Sequence, residues 1–309
     1  MNFDILNIEF FLPKKIELNS ALEISNIYKK KLIKNTGVLK RRIAGPKDNV
    51  ISMSVKAAIK ILKKKNTKID FLILVTQSPL YPLPTNSCII HNNLGLNNDC
   101  LTFDINQGCS GFINAMEIAN SLFMSNSFNY GLIICSDTYT KYIKEDINVK
   151  SLFSDSASAI LLKKNKLKHK YFSDYGIDGN GASNLMVKNN KLFMNGPAML
   201  QFIINNVYRS IIKTLKKNKL TICDIDYYIF HQASKLAIDS LSKKLNLEEK
   251  KVYFNIKNLG NTVSSSIPIA IKDASKKKLI KKNSLILMSG FGVGYSWATC
   301  IYKNGKIIK

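Results

Sequence analysis

Three residues in this chain have side chains that could carry out nucleophilic catalysis, and each follows an apolar run. Cys109 lies in FDINQGCSGF, His231 in YYIFHQAS and Asn261 in LGNTVSSSIP. A cysteine thiolate is a strong nucleophile, an imidazole can give or take a proton, and a carboxamide can donate hydrogen bonds. The three types together indicate a nucleophile with two polar assistants.

The position of Cys109 adds to this interpretation. The residues before it resemble a strand, and Phe112, Met116, Ala119 and Phe123 then share one face of a predicted helix. A thiol at a helix N-terminus is exposed to the positive end of the helix dipole, so we expect the pKa of Cys109 to lie below its ordinary value of about 8.5. The backbone N–H of the same turn could donate to an oxyanion.

Each of the three residues also has an ordinary structural explanation. A lone cysteine is more often a small core residue, and His231 could be a core histidine at the end of a strand. Asn261 beside Gly260 is a natural turn dipeptide. The functional interpretation therefore depends on whether the fold brings the three together.

An internal repeat indicates that it does. Four segments of the first half resemble four segments of the second, in the same order: 69–77 and 225–233, 103–122 and 254–274, 130–137 and 284–292, 157–164 and 296–303. Each half reads as strand, helix, strand, helix, strand, strand, and the strands are continuous apolar runs. We therefore predict an α/β fold with two similar sheets and helices between and outside them. The strand-to-helix turns of both halves, which carry the three residues, should point toward the pseudo-axis.

The repeat divides the chain into an N-terminal half at 1–165 carrying the cysteine, a connector at 166–195 and a C-terminal half at 196–309 carrying the histidine and asparagine. The connector is polar and rich in glycine and asparagine, which predicts a loop-rich segment.

The composition is ordinary except for its charge. Of 309 residues 46% are hydrophobic, and 46 Lys and Arg stand against 21 Asp and Glu, a formal net charge of +25. A basic surface favours an acidic partner, although runs of lysine can also be solvated helix faces. A nucleic-acid-binding protein is a rival interpretation, but no basic stripe interleaved with exposed aromatic residues supports it.

Other classes of site find little support. Six scattered cysteines without a C-x-x-C pair argue against zinc or disulfides and suit a reducing cytosol. The N-terminus lacks the order of a signal peptide, and the uncharged run 285–302 contains glycines that indicate two strands rather than a membrane span. We expect a cytoplasmic protein without a metal, a cofactor or a membrane association.

The motifs resemble those of a known family. NQGCSGF, HQAS and GNTVSSSIP, in this order, resemble the signatures of β-ketoacyl-acyl carrier protein synthase III in the thiolase superfamily. KNTGVLKRRIAGP, LFSDSASAILL and GFGVGYSWA resemble three further motifs of the same family. The resemblance covers nearly the whole chain, and it implies the duplicated five-layer α/β/α/β/α architecture of thiolases.

The resemblance implies a role for each residue. Cys109 would take an acyl group as a thioester, and His231 and Asn261 would donate hydrogen bonds to the thioester carbonyl of a malonyl-type extender. Loss of CO₂ would leave an enolate whose carbon attacks the acyl group on Cys109 in a decarboxylative Claisen condensation. The backbone N–H groups of Cys109 and Val293 would form the oxyanion hole.

The family also implies partners. Its members are homodimers in which a loop of one subunit closes the acyl pocket of the other, and here that loop would carry Leu83. Phe202 and Ile203 would line the same pocket. Acyl carrier proteins are acidic, so a basic face would suit them; the residues expected to dock the carrier are Lys235, Lys257 and Arg209.

The chain departs from the family at the coenzyme A site. Lys31, Leu39 and Ile147 stand where an aromatic residue and two arginines are usual, so the residues of an adenine sandwich are missing. We therefore expect an acyl donor on acyl carrier protein, or poorly held coenzyme A, and a specialised pathway such as acyl modification of a sugar or secondary metabolite. The serines of SDSASA, in place of glycines, receive no functional interpretation.

A second enzymatic interpretation uses the same fold. A non-decarboxylating acyltransferase would move the acyl group from Cys109 to an alcohol or amine, with His231 as general base. Release of CO₂ from a malonyl carrier separates the two interpretations.

Overall fold

The computed structural model describes residues 1–62, 67–125, 127–165 and 171–305. Its strands are β1 (Phe3–Phe11), β2 (Lys15–Leu18), β3 (Lys40–Ile43), β4 (Phe71–Val75), β5 (Leu101–Ile105), β6 (Tyr130–Asp137), β7 (Ser156–Lys164), β8 (Asp174–Ile177), β9 (Leu185–Lys188), β10 (Lys191–Met194), β11 (Tyr227–Phe230), β12 (Leu285–Gly292) and β13 (Ser296–Lys303). Its α-helices are α1 (Asn26–Thr36), α2 (Val50–Leu62), α3 (Asn86–Leu94), α4 (Gly111–Ser125), α5 (Ile147–Lys150), α6 (Gly196–Phe202), α7 (Tyr208–Lys217), α8 (Lys235–Lys244) and α9 (Ser266–Lys276).

Two sheets repeat one strand order. The first sheet is ordered β1-β7-β6-β4-β5, and the second, read in the corresponding direction, is β8-β13-β12-β11. The pairs β4–β6, β4–β5 and β11–β12 are parallel, whereas β6–β7 and β12–β13 are antiparallel. The duplication predicted from the sequence is therefore present in the topology.

Helices lie outside both sheets and between them. Helices α2 and α3 cover the outer face of the first sheet, and α7 and α8 pack on the outer side of the second. Helices α4 and α9 fill the middle layer, where the residues predicted for one face of α4, Phe112, Met116, Ala119 and Phe123, are fully buried. The five-layer α/β/α/β/α architecture is confirmed.

The second sheet stops one strand short of the first. The repeat predicts a strand near 254–258, but this prediction is wrong, because residues 256–258 form a 3₁₀ turn and only Val252 bridges Tyr228. The side chain of Gln232 explains the end of the ladder. Its Nε2 donates to the carbonyl of Tyr253, and its Oε1 accepts the N–H of Asn255. A side chain thus satisfies backbone groups that a neighbouring strand would otherwise pair.

The connector is more ordered than its composition indicates. In its described part, 171–195, β8 pairs with β13 and β9 pairs with β10, so the loop-rich prediction is wrong there; residues 166–170 lie outside the described residues. Asn189 and Asn190 join β9 to β10 with φ of 51° and 55°, the left-handed conformation that a two-residue hairpin turn requires and asparagine tolerates. The division at 165 and 195 stays a prediction.

None of the helices in the described ranges is long and apolar enough to cross a membrane.

The two halves come into close contact where the turn before α4 meets β12. A Cβ placed on Gly290 would lie 2.5 Å from the carbonyl oxygen of Cys109 and 2.9 Å from the Cα of Ser110. A Cβ on Gly292 would lie 2.9 Å from the sulfur of Cys109. These positions leave no room for a side chain, so β12 can support the cysteine turn only through glycines.

We expect Gly290→Ala to lower the free energy of unfolding by about 1–3 kcal/mol or more, because the added methyl group meets backbone atoms that cannot move independently. Urea unfolding measures the loss. Gly179→Ala is the matched control, since a Cβ there meets nothing within 4 Å. Equal stabilities of the two variants would contradict the close packing of the halves.

Candidate active site

Cys109, His231 and Asn261 line one cavity of about 780 Å³. Cys109 lies in the turn that follows β5 and precedes α4, His231 directly follows β11, and Asn261 lies in the loop before α9. All three side chains belong to residues that are at least 95% buried. The structure thus brings together the residues that the sequence predicts to converge, one from the first half and two from the second.

The environment of Cys109 differs from the expected one. Burial raises the pKa of the Cys109 thiol and the nearby Asp137 carboxylate raises it further, while the backbone N–H groups of Cys109 and Val293 donate toward the sulfur and act in the opposite direction. The expectation of a lowered pKa is therefore wrong, because desolvation of the thiolate outweighs the hydrogen bonds. The N–H groups of Cys109 and Val293 both lie beside the sulfur. Their role as an oxyanion hole stays a prediction, because it depends on the position of a substrate oxygen.

His231 is a neutral imidazole held by one hydroxyl. Its Nδ1 lies 2.6 Å from Oγ of Ser266, and its ring meets the edge of Phe291 with centroids 5.6 Å apart. Burial lowers the pKa of His231 to about 3, since desolvation opposes the imidazolium. At neutral pH the ring carries one proton and no charge.

The Asn261 carboxamide is fixed from both sides. Its Oδ1 accepts the N–H of Val263 at 2.9 Å, and its Nδ2 donates to the carbonyl of Ala233 at 3.3 Å. A backbone N–H can only donate, so the oxygen of the amide must face Val263 and the NH₂ must face the other way. The second hydrogen of Nδ2 is left for a ligand in the cavity.

Ser154 and Ser158, two of the serines that replace glycines in SDSASA, make hydrogen bonds near the Asn261 loop. The N–H of Ser154 donates to the carbonyl of Asn261, and its Oγ accepts the N–H of Arg42. Farther along β7, the hydroxyl of Ser158 donates to Ser265, whose own hydroxyl donates to the carbonyl of Cys135. The Ser158 hydroxyl thus links β7 to the residue before α9, an arrangement the sequence did not predict, whereas the Ser156 hydroxyl has no hydrogen-bond partner among the described residues.

Of the three residues predicted to line the acyl pocket, one lines the cavity and two do not. Ile203 lines the cavity. Phe202 is buried beside it and stacks on Tyr295, with ring centroids 4.2 Å apart, rather than facing the cavity. Leu83 is 84% exposed and lies outside the cavity of its own chain.

Sequence reasoning missed most of the apolar lining, which includes Tyr139, Leu152, Phe153, Leu185, Met199 and Phe291. Tyr139 could have been found, because it follows the end of β6 at the same sheet edge as Cys109. Its hydroxyl donates to Oε1 of Gln77 at 2.7 Å. The remaining lining residues come from elements whose approach depends on tertiary packing.

Residues of α1 and residues around α5 both contribute to the lining of the cavity. Lys31 lines it, as does Tyr28 one helical turn earlier, whose hydroxyl donates to Oδ1 of Asn148 at 2.7 Å. Tyr28 is therefore an exposed aromatic residue of the lining that the sequence motifs did not indicate. Leu39 and Ile147 are absent from the described lining of the cavity.

The three residues predicted to dock a carrier differ in position. Lys235 lies between Ser234 and Leu236, which both line the cavity, and its ammonium pairs with Asp239 at 2.5 Å. Lys257 is exposed, and its carbonyl accepts the N–H of Leu39 just beyond α1. Arg209 is exposed on α7, which contributes no described residue to the cavity lining.

Within the described ranges, no group of three or more His, Cys, Asp or Glu side chains is placed to hold a metal ion. All six cysteines are free thiols.

Two family models and two curated relatives that resemble this chain carry the name of one synthase. A model described as 3-oxoacyl-[acyl-carrier-protein] synthase III matches residues 103–181, and a model of the C-terminal part of that synthase matches residues 215–304. The chain is 33% identical to β-ketoacyl-[acyl-carrier-protein] synthase III of Caldanaerobacter subterraneus, with 98% of both chains covered. It is 32% identical to the synthase of the same name from Campylobacter jejuni, with 97% of both covered.

Solved structures agree in fold. The 3-oxoacyl-(acyl-carrier protein) synthase of Burkholderia xenovorans superposes with a TM-score of 0.92 at 28% identity, covering all of this chain and 96% of that one. With nearly full-length identity above 30% to both of these curated relatives and the Cys109, His231 and Asn261 side chains in one cavity, the chain belongs to the β-ketoacyl-acyl carrier protein synthase III family.

Proposed function

We propose that this protein is a 3-oxoacyl-acyl carrier protein synthase that forms a carbon–carbon bond in two half-reactions at Cys109. The observation that carries the proposal is the convergence of a thiol, a neutral imidazole and an oriented carboxamide on one cavity. The names of the relatives support acyl transfer and condensation with a malonyl carrier thioester, as in fatty acid biosynthesis.

In the first half-reaction the sulfur of Cys109 attacks the carbonyl carbon of an acyl thioester. The carrier sulfur leaves, and the proton of the Cys109 thiol ends on it. The raised pKa of Cys109 means that the resting thiol is protonated, so the proton must leave during the attack. The N–H groups of Cys109 and Val293, which lie beside the sulfur, would stabilise the tetrahedral oxyanion.

In the second half-reaction the carbon–carboxylate bond of the malonyl group breaks and CO₂ leaves. The electron pair moves onto the thioester carbonyl, and His231 and Asn261 donate hydrogen bonds to that oxygen. The enolate carbon then attacks the acyl carbon, and the bond to the Cys109 sulfur breaks. The thiolate regains a proton from solvent, and a β-ketoacyl carrier thioester is released.

Neutral assistants suit this step. A carboxylate in place of Asn261 would repel the enolate, whereas the NH₂ group, turned away from Val263, is a donor without charge. An enolate that forms between neutral donors in a buried cavity gains more from each hydrogen bond than it would in water.

The partners belong to the proposal. A family of this name implies acyl carrier protein and acyl-CoA as substrates. We place the acyl donor on the carrier, because Lys31 and Ile147 supply neither half of an adenine sandwich and Tyr28, the aromatic residue beside Lys31, already donates its hydroxyl to Asn148. We propose a homodimer in which Leu83 enters the acyl pocket of the second copy. The 84% exposure of Leu83, beside the exposed Leu80 and Tyr81, supports this position.

Intact mass spectrometry with a panel of acyl thioesters, combined with CO₂ release from a malonyl carrier, tests the function. We expect an acyl adduct that Cys109→Ala abolishes. His231→Ala and Asn261→Ala should keep the adduct but lower CO₂ release by about 10²-fold or more, because each removes one enolate donor. An adduct that passes to an alcohol or amine without CO₂ release would instead establish the acyltransferase alternative.

The lowered pKa of His231 predicts a pH-dependent contribution to stability. Below about pH 6.5 the His231 side chain binds a proton in the unfolded state, whereas in the folded state it binds one only below about pH 3. The folded state therefore loses stability as the pH falls through this range. The free energy of unfolding of the wild type should therefore fall by about 2 kcal/mol more than that of His231→Gln between about pH 7 and 5. Urea unfolding at both pH values measures the difference, and parallel curves would show that His231 is not held neutral.

Charge reversal tests the docking residues. We expect Lys235→Glu and Lys257→Glu to raise the KM for the malonyl carrier by up to about tenfold at low salt and less at high salt, because exposed charge contacts are weak and screened. Arg209→Glu tests the same prediction on a helix outside the cavity lining. A KM for malonyl-pantetheine, which lacks the carrier protein, should stay unchanged, and an equal rise there would remove the docking interpretation.

A further inference from the structure

We infer that Ser266 is a positioning residue that holds the His231 imidazole in the tautomer with its proton on Nε2. Ser266 is the first residue of α9, and its Oγ lies 2.6 Å from Nδ1 of His231. Both residues are at least 98% buried. Nε2 has no hydrogen-bond partner among the described residues, and His231 lines the cavity, so Nε2 is the nitrogen open to a ligand.

The hydrogens around Ser266 decide the tautomer. The backbone N–H of Gln232 donates to Oγ of Ser266 at 3.4 Å, so one lone pair of that oxygen is already used. The hydrogen of the Ser266 hydroxyl has no acceptor other than Nδ1 of His231 among the residues described. The arrangement is complete only if Ser266 donates to an unprotonated Nδ1.

The opposite tautomer leaves an unpaired group. With the proton on Nδ1, both His231 and Gln232 would donate to the Ser266 oxygen, and the hydroxyl hydrogen would be buried without a partner. An unpaired buried donor costs about 1–3 kcal/mol. A doubly protonated ring is disfavoured by burial, because no carboxylate contacts it to offset the lost hydration.

The tautomer has a chemical consequence that rests on the proposed function. A protonated Nε2 can donate a hydrogen bond to the enolate oxygen but has no lone pair to accept a proton. His231 therefore cannot act from Nε2 as a general base toward an alcohol, an amine or the Cys109 thiol. Ser266 thus favours decarboxylative condensation over the acyltransferase alternative, and it should matter for CO₂ release and not for acylation of Cys109.

Nitrogen NMR reads the tautomer directly. The chain contains three histidines, so a protein labelled with ¹⁵N-histidine gives few ring signals, and His231→Gln identifies those of His231. We expect a protonated Nε2 and an unprotonated Nδ1 in the wild type, and a mixture of tautomers or a protonated Nδ1 in Ser266→Ala. A protonated Nδ1 in the wild type would overturn the inference.

Ser265→Ala is the matched control. Ser265 is the preceding residue and equally buried, but its hydroxyl donates to the carbonyl of Cys135 at 2.7 Å and not to His231. We expect it to leave the His231 tautomer unchanged. If Ser265→Ala shifts the tautomer as much as Ser266→Ala does, a general loosening of α9 is the cause and the inference fails.

Kinetics separates positioning from folding. Ser266→Ala should lower CO₂ release from the acylated enzyme by about tenfold or more, the effect of about 1.4 kcal/mol, while acylation of Cys109 stays within about twofold. Ser266→Thr, which keeps the hydroxyl, should restore CO₂ release. Equal losses in both half-reactions would overturn the inference. A wild type with a protonated Nε2 that releases no CO₂ would instead refute the proposed function and leave the tautomer assignment standing.

Discussion

The contact between the cysteine turn and β12 is the constraint on which the site depends. The carbonyl of Cys109 and the Cα of Ser110 lie so close to Gly290 that the strand can carry no side chain there. The same approach brings Val293 N–H to the sulfur and places residues from the second half around a nucleophile from the first. Because the cavity lies between the halves, neither half could form the site alone.

Burial at this contact determines the character of the chemistry. Burial keeps the Cys109 thiol protonated and the His231 imidazole neutral. The three central side chains therefore offer hydrogen-bond donors but carry no charge. The nearby exception is Asp137, which accepts hydrogen bonds from Ser78, Ser264 and the N–H of Gln77; burial raises its pKa to about 6. Under the proposed mechanism, charge develops on the substrate oxygen during the reaction, while the side chains of Cys109, His231 and Asn261 carry none beforehand.

Much of this arrangement could be predicted from the sequence. The repeat correctly indicated two like sheets, because buried strands keep their apolar runs even when the halves diverge. The repeat failed after β11, where the Gln232 side chain ends the ladder. The composition of the connector failed at Asn189 and Asn190, which form a tight turn between two paired strands. The prediction of a lowered pKa for Cys109 was wrong, because the sequence reveals the helix N-terminus but not how deeply the thiol is buried. Leu83, Phe202 and the docking lysines depend on surfaces that only neighbouring elements or a second chain define.

Val263 shows what the orientation of Asn261 requires. Its φ of 50° is left-handed, an uncommon conformation for a β-branched residue, and it follows the Asn261–Thr262 dipeptide directly. Such a backbone costs on the order of 1–3 kcal/mol and persists only where the surroundings enforce it. The chain thus gives up folding stability to hold the Asn261 amide in one orientation. A sequence selected only for folding stability would be expected to replace Val263 with a residue that tolerates a positive φ or to lose this backbone conformation. In the second case the Asn261 amide would be free to rotate.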